Sequence, residues 1–368
     1  MGDWSELPKE LLHLIAQRLE SPLYLLRFRS VCSSWRASSS PSPINNNHFP
    51  IPTHHSISHT NTTFSLSHST LLLITPPNNP PWLIKTSHHT LYHPLSRSPL
   101  KPHPFLLDLY HLPALDLAHE FLLADTSPPD SLYMEKLVFL PLPLHHHPER
   151  RRFVFLTIHV SGKLAFFTSG DSSWTIIPDM PTPFDDVCAF KGNLYAVDHT
   201  GRTVAVGLDS GLGSVAEPVF GGDKKFLVEC EGELLLVDKY LSSHYFPNAG
   251  LVLGDGEDDD EVDEFGGERT VWFDVYRLDQ EGKRWVTVNG LGESVLFLGD
   301  GSAFSASARD LRVGKGNCIV FRDDALDANC IAWGIGVFSL DDGRISPLSD
   351  CPRFSKLFWP PPDWVGLH

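Results

Sequence analysis

WSELPKELLHLIAQRLESPLYLLRFRSVCSSWR, residues 4–36, is the stretch on which the reading of this chain turns. It opens with Leu7-Pro8, and proline is favoured at the start of a helix, where its missing N–H is no loss. Steps of four place Leu11, Ile15 and Leu19 on one stripe, with Leu12 beside them, the pattern of an amphipathic helix. Ser21-Pro22 repeats the start signal, and a second short helix carries Leu23, Leu26 and Phe28. A third runs from about Val31 through Trp35. Three short helices in about forty residues bury too little surface to be comfortable alone. Such a unit packs against a partner, or else against its own domain.

The order and type of these residues resemble the F-box. That family's pattern is LPxELLxxI, then a leucine about four residues on, then a leucine-rich stretch ending in RxVCxxWR. Leu7, Pro8, Glu10, Leu11, Leu12, Ile15, Leu19, Arg29, Val31, Cys32, Trp35 and Arg36 occupy its positions. The resemblance implies docking onto a Skp-type adaptor and, through it, onto the cullin and RING subunits of a ubiquitin ligase. The implied adaptor-binding residues are Leu7, Pro8, Leu11, Leu12, Ile15, Leu19, Leu26, Val31, Cys32 and Trp35.

Composition changes abruptly after Arg36. Residues 41–65 are rich in Ser, Pro, Asn and His and read as a linker between an F-box over 1–40 and a domain over 66–368. Few contacts are expected to cross it, so a fragment beginning near Thr60 should fold without the helices. Histidines cluster at His54-His55, His88-His89 and His145-His146-His147. They sit in proline-rich loops without the carboxylate or thiolate partners and spacing of a metal site, so no metal is expected there. HHHPERRR, residues 145–152, reads as an exposed loop, with a weak nuclear-import patch as the alternative.

From about residue 66 the pattern is all β. Runs of β-branched and aromatic residues recur: TLLLIT (70–75), WLIKT (82–86), RFVFLTI (152–158), KLAFFT (163–168), DVCAF (186–190), NLYAVD (193–198) and TVAVGL (203–208). They continue as KFLVEC (225–230), ELLLVD (233–238), TVWFDVYRL (270–278), RWVTV (284–288), SVLFLG (294–299), NCIVF (317–321) and IAWGIGVFSL (331–340). VSGKL, FKGNLY, CEGELL and LDDGRI each put Gly between two strands, where a tight turn needs positive φ. Strand, strand and Gly-centred hairpin recur about every 40 to 50 residues, the period of propeller blades, which would give about six or seven blades. The architecture read from this is a kelch-like β-propeller, although the paired-glycine and Tyr…Trp signatures of kelch repeats are missing. A stacked β-sandwich is the alternative. Residues 64–150 carry the weakest pattern.

A second resemblance covers roughly residues 150–366. SVLFLGDGSAFSASA, NCIVFRDD, GVFSLDDGRISPL and LFWPPPDWV are similar in order and spacing to the β-rich C-terminal domain of a large plant-specific F-box family. It implies a substrate-receptor domain without enzyme chemistry. GDGSAFSASA lacks the GK[ST] ending of a phosphate loop and reads as a β-turn or bulge. No GxSxG elbow is present. Trp359 and Trp364 are expected to close the final blade, with binding of a proline-reading partner by Phe358, Trp359 and Trp364 around three prolines as the alternative.

Bulk properties narrow the classes. The 368 residues are 42% hydrophobic and 20% charged, which is globular. No apolar run reaches the ~18 residues of a membrane span. The net charge of −16 weighs against nucleic acid. Nine acidic residues and no base lie between 255 and 268, read as a solvated loop rather than a calcium site. The six cysteines, at 32, 188, 230, 318, 330 and 351, form no CxxC pair, which argues against zinc and a disulfide framework. The chain therefore reads as a non-catalytic substrate receptor of a Skp-cullin-F-box ligase acting in the nucleus and/or cytoplasm. It needs no cofactor, and its protein target is unknown. The competing reading is a propeller that binds a protein, or binds or processes a glycan, without ubiquitin transfer.

Overall fold

A computed structural model describes residues 7–19, 22–39, 48–50, 63–87, 90–100, 112–125, 136–142, 152–159, 161–178, 181–242, 269–323 and 334–358. Outside these lie the acidic 255–268 stretch, the three histidine clusters named above, HHHPERRR up to residue 151, Trp359, Trp364 and most of the 41–65 linker. Helices α1 (Lys9–Arg18), α2 (Pro22–Ser30) and α3 (Ser33–Ala37) open the chain. Strands follow as β1 (His48–Pro50), β2 (Thr63–Ile74), β3 (Trp82–Ser87), β4 (Thr90–Tyr92), β5 (Ala114–Asp125), β6 (Lys136–Leu142), β7 (Arg152–Ile158), β8 (Leu164–Thr168) and β9 (Thr175–Ile176). Next come β10 (Phe184–Phe190), β11 (Asn193–Asp198), β12 (Thr203–Val206), β13 (Leu212–Ala216), β14 (Lys224–Cys230), β15 (Glu233–Ser242), β16 (Arg269–Asp279) and β17 (Arg284–Thr287). The last are β18 (Ser294–Leu298), β19 (Ala303–Ser307), β20 (Cys318–Arg322), β21 (Ile335–Ser339) and β22 (Ile345–Pro347).

The chain forms two compact units: residues 1–179 with 310–312 and 356–368, and residues 180–309 with 313–355. In the first, one sheet runs β4-β3-β2-β5-β6-β7-β8-β9, with β1 also on β2. β2 and β5 pair from Phe64↔Asp125 to Ile74↔Ala114, whereas β5 and β6 meet only at Phe121↔Leu137 and Leu122↔Lys136. That short seam divides the sheet into a group of five strands, β1 to β5, and a group of four, β6 to β9. The second unit holds β10-β11-β12-β13, β14-β15-β16-β17 and β19-β18-β20-β21-β22. Among the described residues this makes five groups. The 12-residue strands β2 and β5 use more chain per group than the 40-to-50-residue period allows. GDGSAFSASA combines the turn that was expected with a strand: Gly299 N–H donates to the Ser302 carbonyl at 2.9 Å, and Ala303–Ser307 is β19.

Turn chemistry sets the registers. Lys191 (φ 47°) and Gly192 (φ 77°) form the two-residue turn that pairs Phe190 with Asn193. Glu231 (φ 51°) and Gly232 (φ 77°) do the same between Cys230 and Glu233. Two positive φ values in succession match the twist of the flanking strands.

In the second unit, Val228, Leu235, Val237, Phe273, Val275, Leu296, Ile319, Phe321 and Phe338 fill one core cluster. Tyr195, Val197, Leu227, Leu234, Leu236, Leu278 and Trp285 fill another. Each unit also buries an ion pair: Lys85 Nζ to Glu120 Oε2 at 2.6 Å, and Lys225 Nζ to Asp238 Oδ1 at 2.7 Å. Buried charges persist only when paired and hydrogen-bonded. Lys225 meets this condition with a second bond to the Gly222 carbonyl (3.0 Å), and Asp238 with one from Gly222 N–H (3.0 Å). The chain's end returns to the first sheet, where Leu83 N–H donates to the Leu357 carbonyl and Phe358 stacks on His93 at 5.6 Å.

Candidate functional site

The site is built by α1–α3. Pro8 caps α1, and its carbonyl accepts from Leu11 and Leu12 N–H at 3.0 and 3.1 Å. Glu10 in the first turn and Arg18 in the last complement the helix dipole. One side of α1 faces inward: Leu12 (fully buried), Ala16 and Phe28 of α2 form a small core, with Leu7, Leu19, Leu25 and Trp35 packed on it. Trp35 and Phe28 lie 4.5 Å apart between ring centroids. Arg29 and Arg36 tie α2 to α3, each guanidinium donating to the other's backbone carbonyl.

The opposite side of α1 is left open. Leu11 is 47% exposed, Leu14 53% and Ile15 39%, three residues at the i, i+3, i+4 spacing of one helical face. Leu26 on α2 (38%) and Val31 after it (57%) are open as well. The structure therefore sorts the ten candidate residues. Pro8, Leu11, Ile15, Leu26 and Val31 present surface, Leu12 is interior, and Leu7, Leu19, Cys32 and Trp35 are partly covered. Leu12 holds the helices in shape rather than offering a contact, because its place on the helix turns it toward Phe28. Leu14 was not singled out in the sequence, although its place three residues after Leu11 put it on the open face.

The third face of the helices is not open, contrary to the expectation of few contacts across the linker. Leu23 of α2 is buried among Leu72, Ile74, Trp82 and Ile84 of the first sheet. Arg27 donates to the carbonyls of Leu112 (2.6 Å) and Ala114 (3.4 Å) at the start of β5. Asp116 N–H donates to Tyr24 Oη at 3.4 Å. Helix α2 thus spends one side on α1 and α3 and another on the sheet, which leaves α1 as the element with a free apolar face. Among the described residues, no group of three or more His, Cys, Asp or Glu side chains is placed to hold a metal ion.

Residues 4–46 match the F-box domain, and residues 42–339 match the KIB1-4 beta-propeller. The chain is 42% identical to F-box protein SKIP23 of Arabidopsis thaliana, over all of this chain and 97% of that protein. It is 35% identical to F-box protein At2g17036 of the same plant, covering 99% and 95%. With F-box protein At2g17690 it shares 28% identity over 95% and 97%.

Proposed function

The chain belongs to the F-box proteins that carry a KIB1-4 β-propeller, and from that premise we propose that it is a substrate-receptor subunit of a Skp-cullin-F-box ubiquitin ligase. The observation that carries this reading is the open apolar face of α1. Leu11, Leu14 and Ile15 lie in water on a helix whose other side is already packed. Exposed contiguous apolar surface on a soluble protein marks a place where another protein sits. A Skp-type adaptor covers this face, with Pro8, Leu26 and Val31 extending the contact, and brings the cullin and RING subunits with it.

The mechanism is positional. The propeller holds a target protein, and the adaptor holds the assembly at the ligase, so the target's lysines meet the charged ubiquitin carrier at high effective concentration. The chain itself contributes no reacting group, and the target is ubiquitinated and passed to the proteasome. The nucleus and/or cytoplasm is where such a receptor works.

The test is calorimetric titration of a purified Skp-type adaptor into the full chain and into the Leu11→Asp, Ile15→Asp double variant. Both residues are surface-exposed, so the variant keeps its fold and melting profile. Loss of binding is expected, because truncated anchors at such interfaces cost about 2–4 kcal/mol each. Binding undiminished in the variant overturns the assignment of this face.

A further inference from the structure

A second exposed site, this one aromatic, stands in the second unit, far along the sequence from the helices. Trp272, three residues into β16, is 44% exposed, although tryptophan is highly buried on average. The ring is nonetheless fixed. Its Nε1–H donates to Asp274 Oδ1 at 3.0 Å, and Phe338 meets it edge-on at 5.2 Å. Gly343, at φ 65°, lets the chain pass beneath the indole, where any side chain would overlap the ring. The other oxygen of Asp274 is taken by Tyr240 Oη–H at 2.9 Å, from the neighbouring strand β15. Burial, and then the hydrogen bond to Asp274, hold the Tyr240 phenol well above its ordinary value, so it remains a donor. Trp272 and Tyr240 thus straddle one carboxylate on paired strands, in register with each other.

A rigid aromatic face beside a carboxylate suits a cation. Cations are drawn to the indole face, and arginine also lies flat on it while its fork reaches an oxygen. Each oxygen of Asp274 carries one donor and keeps acceptor capacity. Lys191 lies over Phe190 and Lys239 over Phe321, so these two cations are placed on other rings. Charge favours the same ligand. The chain is at −16, and residues 243–268, which join β15 to β16 and so connect the strands bearing Tyr240 and Trp272, contain nine acidic residues and no Lys or Arg.

We propose that Trp272, with Asp274 and Tyr240, binds an arginine side chain on a basic segment of the target protein. As a statement about the target, this rests on the receptor reading above, whereas the binding of a cationic peptide does not. Trp272 supplies the stacking face, Asp274 the charge, and Tyr240 fixes the carboxylate's orientation.

The experiment uses the full chain and a blocked peptide of alternating glycine and arginine, with the citrulline peptide of the same length as the uncharged control. Binding is followed by calorimetry at low salt. The arginine peptide binds and the citrulline peptide does not. Trp272→Ala weakens binding about fivefold, as expected for a cation–π contact at an exposed site. Trp272→Phe, which keeps a ring over Gly343, loses less, and Asp274→Asn, which keeps an acceptor but drops the charge, weakens it as well. Melting profiles of the Phe and Asn variants guard against unfolding as the cause. Three results overturn the proposal: no binding of the arginine peptide, equal binding of the citrulline peptide, or wild-type affinity in Trp272→Ala, which would mean capture by the acidic segment alone. Adaptor titration on the same samples separates the two readings. Peptide binding without adaptor binding sinks the receptor role and leaves the site, and the reverse leaves the role and removes the site.

Discussion

The helices α1–α3 and the second β unit treat their apolar residues in opposite ways. Between Leu11 and Val31 the helices leave five large apolar side chains open, while their shared core rests on Leu12, Ala16 and Phe28. The second unit exposes a set of similar size, Leu208, Phe220, Val271, Trp272 and Val286, but spreads it over residues 208–286 and closes two large clusters behind it. It can even accommodate a lysine with no exposed surface, because Asp238 and Gly222 surround its ammonium. A propeller's sheets shield each other and can hold charge inside. Helices this short can do neither, and they keep their shape by leaning on the first sheet through Leu23 and Arg27. The concentration of open apolar surface on one side of α1 is therefore what the proposed adaptor contact rests on, where the scattered residues of the second unit are ordinary surface apart from the fixed ring of Trp272.

The largest test of this contrast is Lys225→Met. It leaves the Asp238 carboxylate in the interior without its cation, and breaking a buried pair in this way costs about 3–5 kcal/mol. The urea midpoint of the full chain should fall accordingly. The double variant Lys225→Met, Asp238→Leu should recover most of the loss, since an apolar pair of similar volume satisfies the same space. If the single variant is as stable as wild type, the interior of the second unit is wetter than its packing implies and the contrast weakens.

Next in size is Leu23→Ala, a helical residue treated as core by the sheet. Removing a buried leucine costs about 2–5 kcal/mol, and a site at the seam of two elements belongs at the lower end. Leu11→Ala on the open face should stay within about 0.5 kcal/mol. Adaptor titration sharpens the pair, because Leu11→Ala weakens adaptor binding with stability unchanged, and Leu23→Ala lowers stability with binding by the folded fraction unchanged. Equal stability losses at the two positions would erase the distinction between packed and open faces.

Much of this was legible in the chain itself. The step of four through Leu11 and Ile15, the Pro8 start and the Gly-centred hairpins at Lys191-Gly192 and Glu231-Gly232 are local signals, and the structure places helix and turns where they fall. The division of α1 into faces was less visible. Leu11, Leu12 and Ile15 look alike as residue types, and only the placement of Phe28 and Trp35 decides that Leu12 is interior. The docking of α2 was invisible for the same reason. Leu23 meets Leu72, Ile74, Trp82 and Ile84, and Arg27 reaches backbone carbonyls more than eighty positions away, with no pattern in the sequence to announce it. Strands β5 and β6 escaped because ALDLAHEFLLAD and KLVFLPL mix helix-forming residues and a proline into their runs, and pairing of β5 with long β2 and of β6 with β7 overrides those propensities. The Trp272–Asp274–Tyr240 arrangement escaped because register, not spacing, brings Tyr240 opposite Trp272.

The smallest effect concerns a carboxylate at the edge of the same polar interior. Asp185 accepts a hydrogen bond from Lys225 N–H at 2.9 Å and faces His199 at 3.5 Å. Burial raises its pKa above the ordinary 3.8, and the Lys225 hydrogen bond with the nearby Lys224, His199 and Lys225 charges offsets part of that rise. A carboxyl whose folded value lies above its unfolded value holds its proton more tightly in the fold. Its contribution to stability is fully present below 3.8 and is lost as the pH rises through the folded value. In Asp185→Asn the amide oxygen still accepts from Lys225 N–H, but nothing titrates. The stability of wild type minus that of Asp185→Asn should therefore fall as the pH rises from 3.8 and level off above the folded value. Urea midpoints of both proteins, taken at close pH steps across that range, measure it. A difference that grows with pH would mean that the cations around Asp185 outweigh its burial, and that the second unit's polar interior is held by attraction rather than merely tolerated.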